Sequence, residues 1–322
     1  IRPLEEINLC ARDSMREGAR SGACANILHS RAAPLPAPWP LHQRRQACSP
    51  FFTNTDRPII ISMPQSASAS LDKVKTYLIN LDRAPARLAK LDARLQAISL
   101  PYQRIAAVDG KMLQFPHPDF SDLAYRLLHG RRRAPAEVGC YFSHIEALRE
   151  FLNSDADHAL ILEDDIAFEP DFRQVMEAAI ARAGEWDILR LSTVNTGRAI
   201  PYSGLTGRYR LAVALTREKG AGAYMVNRRA AKWLVRQLPM QLAYDIMFDL
   251  EYLAGLRAVF VKPLPCAQIT GEVTQIQNQG PDFKLPKWRY LTVLPYRAWL
   301  EISRLIIRLL QLFRAWGNSL LR

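Results

Sequence analysis

The apolar positions between residues 71 and 288 follow two alternating periods. Val74–Leu81 (VKTYLINL) is a short apolar run of strand length, and Leu88, Leu91, Leu95 and Ile98 then recur at helical spacing. Asp82 is placed to cap that helix and Pro85 suits its first turn, so residues 84–98 are expected to form an amphipathic helix. Tyr102–Val108 reads as a second strand, ended by the turn pair Asp109-Gly110. Strand, helix and strand joined this closely make a β-α-β unit, whose two strands run parallel.

The alternation continues downstream. Residues 111–136 read as a polar, basic connection carrying Arg131, Arg132 and Arg133. A helix is expected over 139–153, with Ile145, Leu148 and Leu152 on one face. Ala159–Leu162 is a short strand that runs straight into Glu163, Asp164 and Asp165, and Pro170 opens a helix to about Ala183. Strands are expected at Asp187–Leu191, Leu211–Leu215 and Ala258–Val261, and helices at Arg228–Gln237 and Tyr244–Leu256. Gly220–Val226 reads as a turn and strand with close backbone approach. The whole is an α/β domain without internal repeats.

Residues 1–70 break the pattern. They hold eight of the 21 prolines, four of them in the run Pro34–Pro40, and are expected to be a disordered extension. Met63 stands just before the first strand and is expected to be the natural start, with the earlier residues translated upstream sequence. The expected organisation is an extension over 1–70, a globular domain over 71–288 and a basic amphipathic helix over 289–322.

Charge sharpens this division. Lys and Arg number 43 against 31 Asp and Glu, a net charge of +12, which favours an anionic partner. Eight Arg face five acids in 1–70, and six Arg face Glu301 alone in 289–322, which leaves only +4 for the residues between. That near balance, without basic residues interleaved with aromatics, argues against a nucleic-acid partner. A hydrophobic content of 49% with 23% charged residues excludes a disordered or fibrous chain. No uncharged apolar run is long enough to predict a membrane span. Cys10, Cys24, Cys48, Cys140 and Cys266 form no CxxC or CxxH pair, as expected of a reducing, cytoplasmic compartment and no zinc site.

Two clusters carry candidate chemistry. Side chains alternate along an extended chain, so Glu163 and Asp165 are expected to share a side, with Asp164 pointing away. Carboxylates so placed repel unless a cation sits between them, and hard oxygen ligands suit Mn²⁺ or Mg²⁺, which also bind phosphate oxygens. The alternative is a solvated acidic loop ahead of a helix. At the exit of the first strand, Asn80, Arg83 and Arg87 adjoin a helix N-terminus, and the two arginines, four apart, share a face that could hold phosphate. A solvated basic face is the alternative there.

Five segments in order carry a resemblance: TYLINLDRAPARLAKL (76–91), RIAAVDGK (104–111), EVGCYFSHIEAL (137–148), LILEDDIAF (160–168) and GAGAYMVN (220–227). Together they resemble glycosyltransferase family 25, the bacterial lipooligosaccharide galactosyltransferases and their collagen-modifying relatives. The resemblance implies a GT-A-like, Rossmann-like α/β domain with a mixed, mostly parallel sheet. It also implies a UDP-sugar donor, most commonly UDP-galactose, a divalent metal and inversion at the anomeric carbon. Position by position, Asn80, Arg83 and Arg87 match the first motif near the nucleotide, Asp109 and Gly110 the AVDG turn, and Gly139, Ser143 and His144 the next segment. Glu163, Asp164 and Asp165 match the acidic metal motif, with Asp164 also beside the donor, and Gly222 and Tyr224 match the Gly-x-x-Tyr segment. Thr274 stands near a place where the family often has Ser. An inverting displacement needs a base opposite the leaving group. Asp245 is the first candidate and Asp249, four residues on, its competitor; Asp245 could equally be a carboxylate favoured by a helix N-terminus. His144 could act in the pocket or simply pack its helix, and Cys140 reads as core.

The end of the chain, 302–322, sets Ile302, Leu305, Ile306, Leu309, Leu310, Phe313, Trp316 and Leu320 on one broad stripe, with Arg304, Arg308 and Arg314 off its centre. Interfacial helices place Arg near anionic headgroups in this way. An anionic membrane surface is therefore the expected partner, a helix packed on the domain or in a dimer the alternative. The expected protein is a cytoplasmic, peripheral enzyme of the inner membrane face that glycosylates a lipid-linked oligosaccharide such as the lipooligosaccharide core. The rival from another class is a non-catalytic glycolipid- or membrane-binding protein on the same fold.

Overall fold

The computed structural model describes residues 71–195, 197–269 and 286–320. The expectations for residues 1–70 and for Thr274 lie outside the described residues. The chain runs β1 (Val74–Asn80), α1 (Pro85–Ala97), β2 (Gln103–Ala106), α2 (Asp122–Ala124), α3 (Pro135–Asn153), β3 (His158–Glu163), β4 (Ile166–Phe168) and α4 (Phe172–Ala181). Then follow β5 (Ile188–Arg190), β6 (Ala199–Thr206), β7 (Tyr209–Ala214), β8 (Ala223–Asn227), α5 (Arg228–Val235), α6 (Tyr244–Met247), β9 (Ala258–Lys262), β10 (Cys266–Gln268) and α7 (Tyr290–Leu320).

Eight strands form one sheet in the order β2-β1-β3-β8-β5-β9-β7-β6, and β4 pairs with β10 beside it. β1 pairs parallel with both β2 and β3, and β5 pairs parallel with β9. β8 and β7 are the strands inserted in the opposite sense, so most of the sheet runs one way. The pleat sends alternate residues of β1 to opposite faces. Tyr77 and Ile79 join the core under α3 and α5, while Leu78 joins the core under α1 and α4. This mixed α/β sandwich puts the ends of β1 and β3 side by side, which is what builds the site.

Several elements differ from the pattern-based reading for local reasons. β6 is an edge strand with Pro201 in it and register shifts on both sides of Ser203–Gly204, features an edge tolerates and an apolar count does not register. The helix expected over 244–256 is a single α turn, α6, continued by 3₁₀ geometry over Phe248–Ala254 and stopped by Gly255 in the left-handed region. The connection after β2 folds into α2 and a wide turn at Tyr125–His129. Asp82 does not cap α1; its carboxylate pairs with Arg104 instead.

Among the described residues no helix is long and apolar enough to cross a membrane. The last helix, α7, packs on β6, β7 and the turns at 125–129 and 248–254. Val293, Leu300, Arg304, Arg308 and Leu312 are its buried positions. The expectation that Arg304 and Arg308 reach toward headgroups is corrected here: they are 1% and 0% exposed and pair with Asp249 and Glu251. The apolar stripe faces away from the body, with Ile302, Leu305, Ile306, Leu310 and Phe313 exposed. Buried carboxylates in the 248–254 turn have drawn the arginines inward, and the helix period then forces the opposite face outward.

Candidate active site

The C-terminal ends of β1 and β3 open into a cleft of about 800 Å³. Asn80 ends β1 beneath it, 1% exposed. Its amide Nδ2 donates to Asp164 Oδ2 at 2.7 Å, and its Oδ1 accepts from Arg104 Nε at 3.2 Å. Arg87, in the first turn of α1, pairs with Asp164 and lies 3.5 Å from Asp165 Oδ2. Arg83 Nε donates to Asp109 Oδ2 at 2.7 Å, and that bond holds the Asp109 carboxyl below the usual range against its modest desolvation. The two arginines thus bind the acids of two different motifs, which fastens the β1 exit to the cleft floor.

β3 ends at Glu163, and Asp164 and Asp165 form the turn that follows. Glu163 and Asp165 share a hydrogen-bond partner, but Asp164 does not point away: it lies in the turn after the strand and shares Arg87 with Asp165. Gln268 Nε2 lies 3.0 Å from Glu163 Oε2 and 3.4 Å from Asp165 Oδ1, whereas Asp164 turns to Asn80 and Arg87. All three acids line the cleft. Burial pushes the Asp164 and Asp165 carboxyls up, and for Asp165 the Glu163 charge adds to the effect. Two carboxylates already converge on one amide hydrogen-bond donor, so this oxygen set fits a hard divalent cation. Cys140, His144 and Glu163 also bring ligand atoms within 4.8 Å of one another, but burial pushes the Cys140 thiol up, away from the thiolate a metal needs.

His144 holds Glu163 in place. Its Nε2 lies 3.1 Å from Glu163 Oε1 and its Nδ1 3.1 Å from the Tyr224 hydroxyl. With Glu163 ionised, Nε2 carries the proton and Nδ1 accepts from Tyr224, whose oxygen lies 2.8 Å from the Tyr244 hydroxyl. The imidazole stacks on Tyr244, centroids 4.1 Å apart. Tyr224 is fully buried and touches the cleft lining through His144 and Tyr244. Of the residues matched to the donor, Tyr224 and Gly222 therefore lie behind the wall. A Cβ on Gly222 would come within 2.9 Å of Ile166 Cδ1, and its carbonyl accepts from Glu163 N at 2.8 Å.

The remaining matched positions shape the wall. A Cβ on Gly110 would stand 1.8 Å from the Pro135 carbonyl oxygen, and one on Gly139 2.5 Å from the Val108 oxygen. The AVDG turn is thus pressed backbone to backbone against the start of α3. Ser143, 1% exposed, ties the two together, accepting from Val108 N at 2.8 Å and donating to Gly139 O at 2.7 Å. Asp245 sits in α6 on the cleft wall with Lys219, its carboxylate 3.2 Å from Arg217 Nη2. Asp249, the competing candidate base, is corrected: it is 0% exposed and pairs with Arg304 and Arg308, away from the cleft. The change from α to 3₁₀ winding after Met247 rotates it inward. Arg190 was missed by the pattern reading because it lies inside an apolar strand run. It is buried against Phe248, 4.6 Å from the ring centroid, and donates to the carbonyls of Glu218 and Gly220 in the cleft-lining loop.

An α/β domain with an acidic strand end, paired arginines and a carboxylate on the far wall belongs to the class built to hold an anionic ligand at a sheet's carboxyl edge. The family model for glycosyltransferase family 25 (LPS biosynthesis protein) matches residues 73–248, more than half of the chain. The chain belongs to that family, and its domain is the mixed, mostly one-way α/β sheet described above. It is 32% identical over 123 residues to a glycosyltransferase 25 family member of Anopheles gambiae, covering 35% of this chain and 20% of that one. It is 29% identical over 209 residues to the inactive glycosyltransferase 25 family member 3 of Homo sapiens, covering 59% and 34%. It is 23% identical over 231 residues to procollagen galactosyltransferase 1-B of Xenopus laevis, covering 63% and 37%. The chain thus spans a fifth to somewhat over a third of the length of these relatives.

Proposed function

We propose that this chain is an inverting glycosyltransferase that moves galactose from UDP-galactose to a lipid-linked saccharide such as a lipooligosaccharide core. What supports the reading most is the convergence, in one cleft, of the acidic strand end, Arg83 and Arg87, and Asp245 on the opposite wall. Glu163, Asp164 and Asp165 would hold Mn²⁺ or Mg²⁺, which supplies positive charge against the departing diphosphate. Arg87 and Arg83 add charge-assisted hydrogen bonds to the same phosphates. Asp245, oriented by Arg217, takes the proton of the acceptor hydroxyl as it attacks. His144 keeps Glu163 aimed at the cleft. The enzyme works at the cytoplasmic face of a membrane, with the outward apolar stripe of α7 set in an anionic lipid surface.

One observation favours a second reading, a non-catalytic binding protein on the same fold: Arg87 already pairs with Asp164 and lies 3.5 Å from Asp165, supplying positive charge from within. Titration of UDP with and without Mn²⁺, followed by UDP-galactose turnover, separates the two. An enzyme binds UDP more tightly with Mn²⁺, loses that gain in Asp165→Asn, and loses about a hundredfold or more of its transfer rate in Asp245→Asn with UDP binding intact. Mn²⁺-dependent UDP binding without turnover on any UDP-sugar leaves the second reading; UDP binding indifferent to Mn²⁺ and to Asp165 overturns the first.

A further inference from the structure

Beside the main cleft lies a second cavity of about 250 Å³. Arg131, Arg217, Lys219 and Arg297 line it, with Asp245 as its one carboxylate and His129 in its wall. These cations arrive from three separate stretches of chain: the connection after the 125–129 turn, the loop after β7, and α7. They are therefore held together by the fold and not by one helix face. Their local partners are few. Arg217 Nη2 reaches Asp245 at 3.2 Å, Arg131 Nη1 lies 3.5 Å from Glu137 Oε1, and Arg297 Nη2 donates to the His129 carbonyl at 3.2 Å.

Three buried polar atoms here have no hydrogen-bond partner among the described residues: Nε of Arg217 and both ring nitrogens of His129. His129 is only 7% exposed. Burial and the charges of Arg131, Arg297 and Arg217 push its imidazole down to about 3, so the ring is neutral and can give or take a hydrogen bond. Burial, Arg217 and Arg131 likewise push the Arg297 guanidinium down. Four cations that face only Asp245 and, through Arg131, Glu137, with buried polar atoms unmatched, are stabilised by an anion among them.

The cavity has a definite relation to the proposed chemistry. Asp245 and Lys219 line both it and the main cleft. On the other side Arg217 and Arg297 continue into a further hollow that reaches Tyr296 and Leu300 of α7. The route thus runs from the candidate base toward the helix whose outer face is apolar. A tetrahedral phosphate offers acceptor oxygens in several directions, which suits donors converging from three stretches of chain better than a planar carboxylate does.

We infer that this basic cavity is the acceptor subsite for a phosphate carried on the acceptor saccharide, held next to the hydroxyl that Asp245 deprotonates. The assignment of the phosphate to an acceptor rests on the glycosyltransferase reading; the anion site itself does not. The test is calorimetric titration of the full chain, with UDP and Mn²⁺ at saturation, using glucose 6-phosphate, glucose, inorganic phosphate and phosphatidylglycerol vesicles as probes. Glucose 6-phosphate binds and glucose does not. Arg131→Gln with Arg297→Gln weakens that binding by about tenfold or more, and Arg131→Lys with Arg297→Lys retains most of it. Inorganic phosphate competes with glucose 6-phosphate but binds less tightly. The inference falls if glucose 6-phosphate fails to bind the unaltered chain, binds the Gln pair equally well, or is bettered by free phosphate. It also falls if only the vesicles bind. A separate UDP titration distinguishes the failures: UDP refused while glucose 6-phosphate binds through the arginines removes the donor reading and leaves the anion site.

Discussion

Replacing Arg308 by Met tests the contact that fixes α7 to the domain. Arg308 is fully buried, with Nη2 donating to Asp249 Oδ1 at 2.9 Å and Glu251 Oε1 at 2.6 Å, and Nη1 to the Ala214 carbonyl at 3.0 Å. Arg304 Nη2, 2.9 Å from Asp249 Oδ2, would remain. Glu251 would lose both the ion pair and the hydrogen bond that Arg308 gives it, while staying out of water. Stranding one partner of a buried pair costs about 3–5 kcal/mol, a large part of a domain stability of about 5–15 kcal/mol. Burial already pushes the Glu251 carboxyl up against the pull of Arg308, so without Arg308 it titrates higher still. A carboxyl whose folded value is raised above its unfolded one destabilises increasingly as pH rises, so the deficit grows from about pH 4.5 upward. The assay is urea unfolding followed by circular dichroism at several pH values. Arg308→Met lowers the midpoint with little change in slope, and adding Glu251→Gln restores more than half of the loss because the stranded charge is gone. A loss under about 1 kcal/mol, or no rescue by Glu251→Gln, would refute the view that this buried ion cluster holds α7 in place.

Three further outcomes follow from particular residues. Gly110→Ala should cost about 1–3 kcal/mol or more, since its Cβ would meet the Pro135 oxygen at 1.8 Å, while Gly204→Ala, with nothing within 4 Å, leaves the melting temperature nearly unchanged. Equal effects in a melting comparison would contradict the tight turn-to-helix packing. The His129 imidazole is pushed down from 6.5 to about 3 when folded, so stability is full above pH 6.5 and falls below it at up to about 1.4 kcal/mol per pH unit. His129→Gln should flatten that slope between pH 6.5 and 5 in urea unfolding, and an unchanged slope would count against a buried neutral ring. Ile302→Ser with Phe313→Ser, both on the exposed stripe of α7, should abolish flotation with phosphatidylglycerol liposomes without altering the unfolding midpoint by more than about 0.5 kcal/mol. Undiminished flotation would detach the stripe from membrane contact.

Periodicity alone determined the first β-α-β unit, the acidic end of β3 and the helical C-terminus, because strand and helix periods are local properties and a buried strand must be apolar. The residues of five ordered segments carried the resemblance to the family. What sequence spacing could not decide was which side a charged group faces. Asp245 and Asp249 differ by four residues and read alike, yet a local change of winding leaves one on the cleft and buries the other. Arg304 and Arg308 read as solvent-facing because isolated arginines usually are; only the carboxylates of Asp249 and Glu251, more than fifty residues away in the chain, bring them inside. The gathering of Arg131, Arg217, Lys219 and Arg297 around Asp245 was likewise invisible, since no local period relates them. The reason is the same in each case: backbone periodicity is encoded nearest neighbour by nearest neighbour, whereas the partner of a charge is set by where distant segments meet once the core has closed.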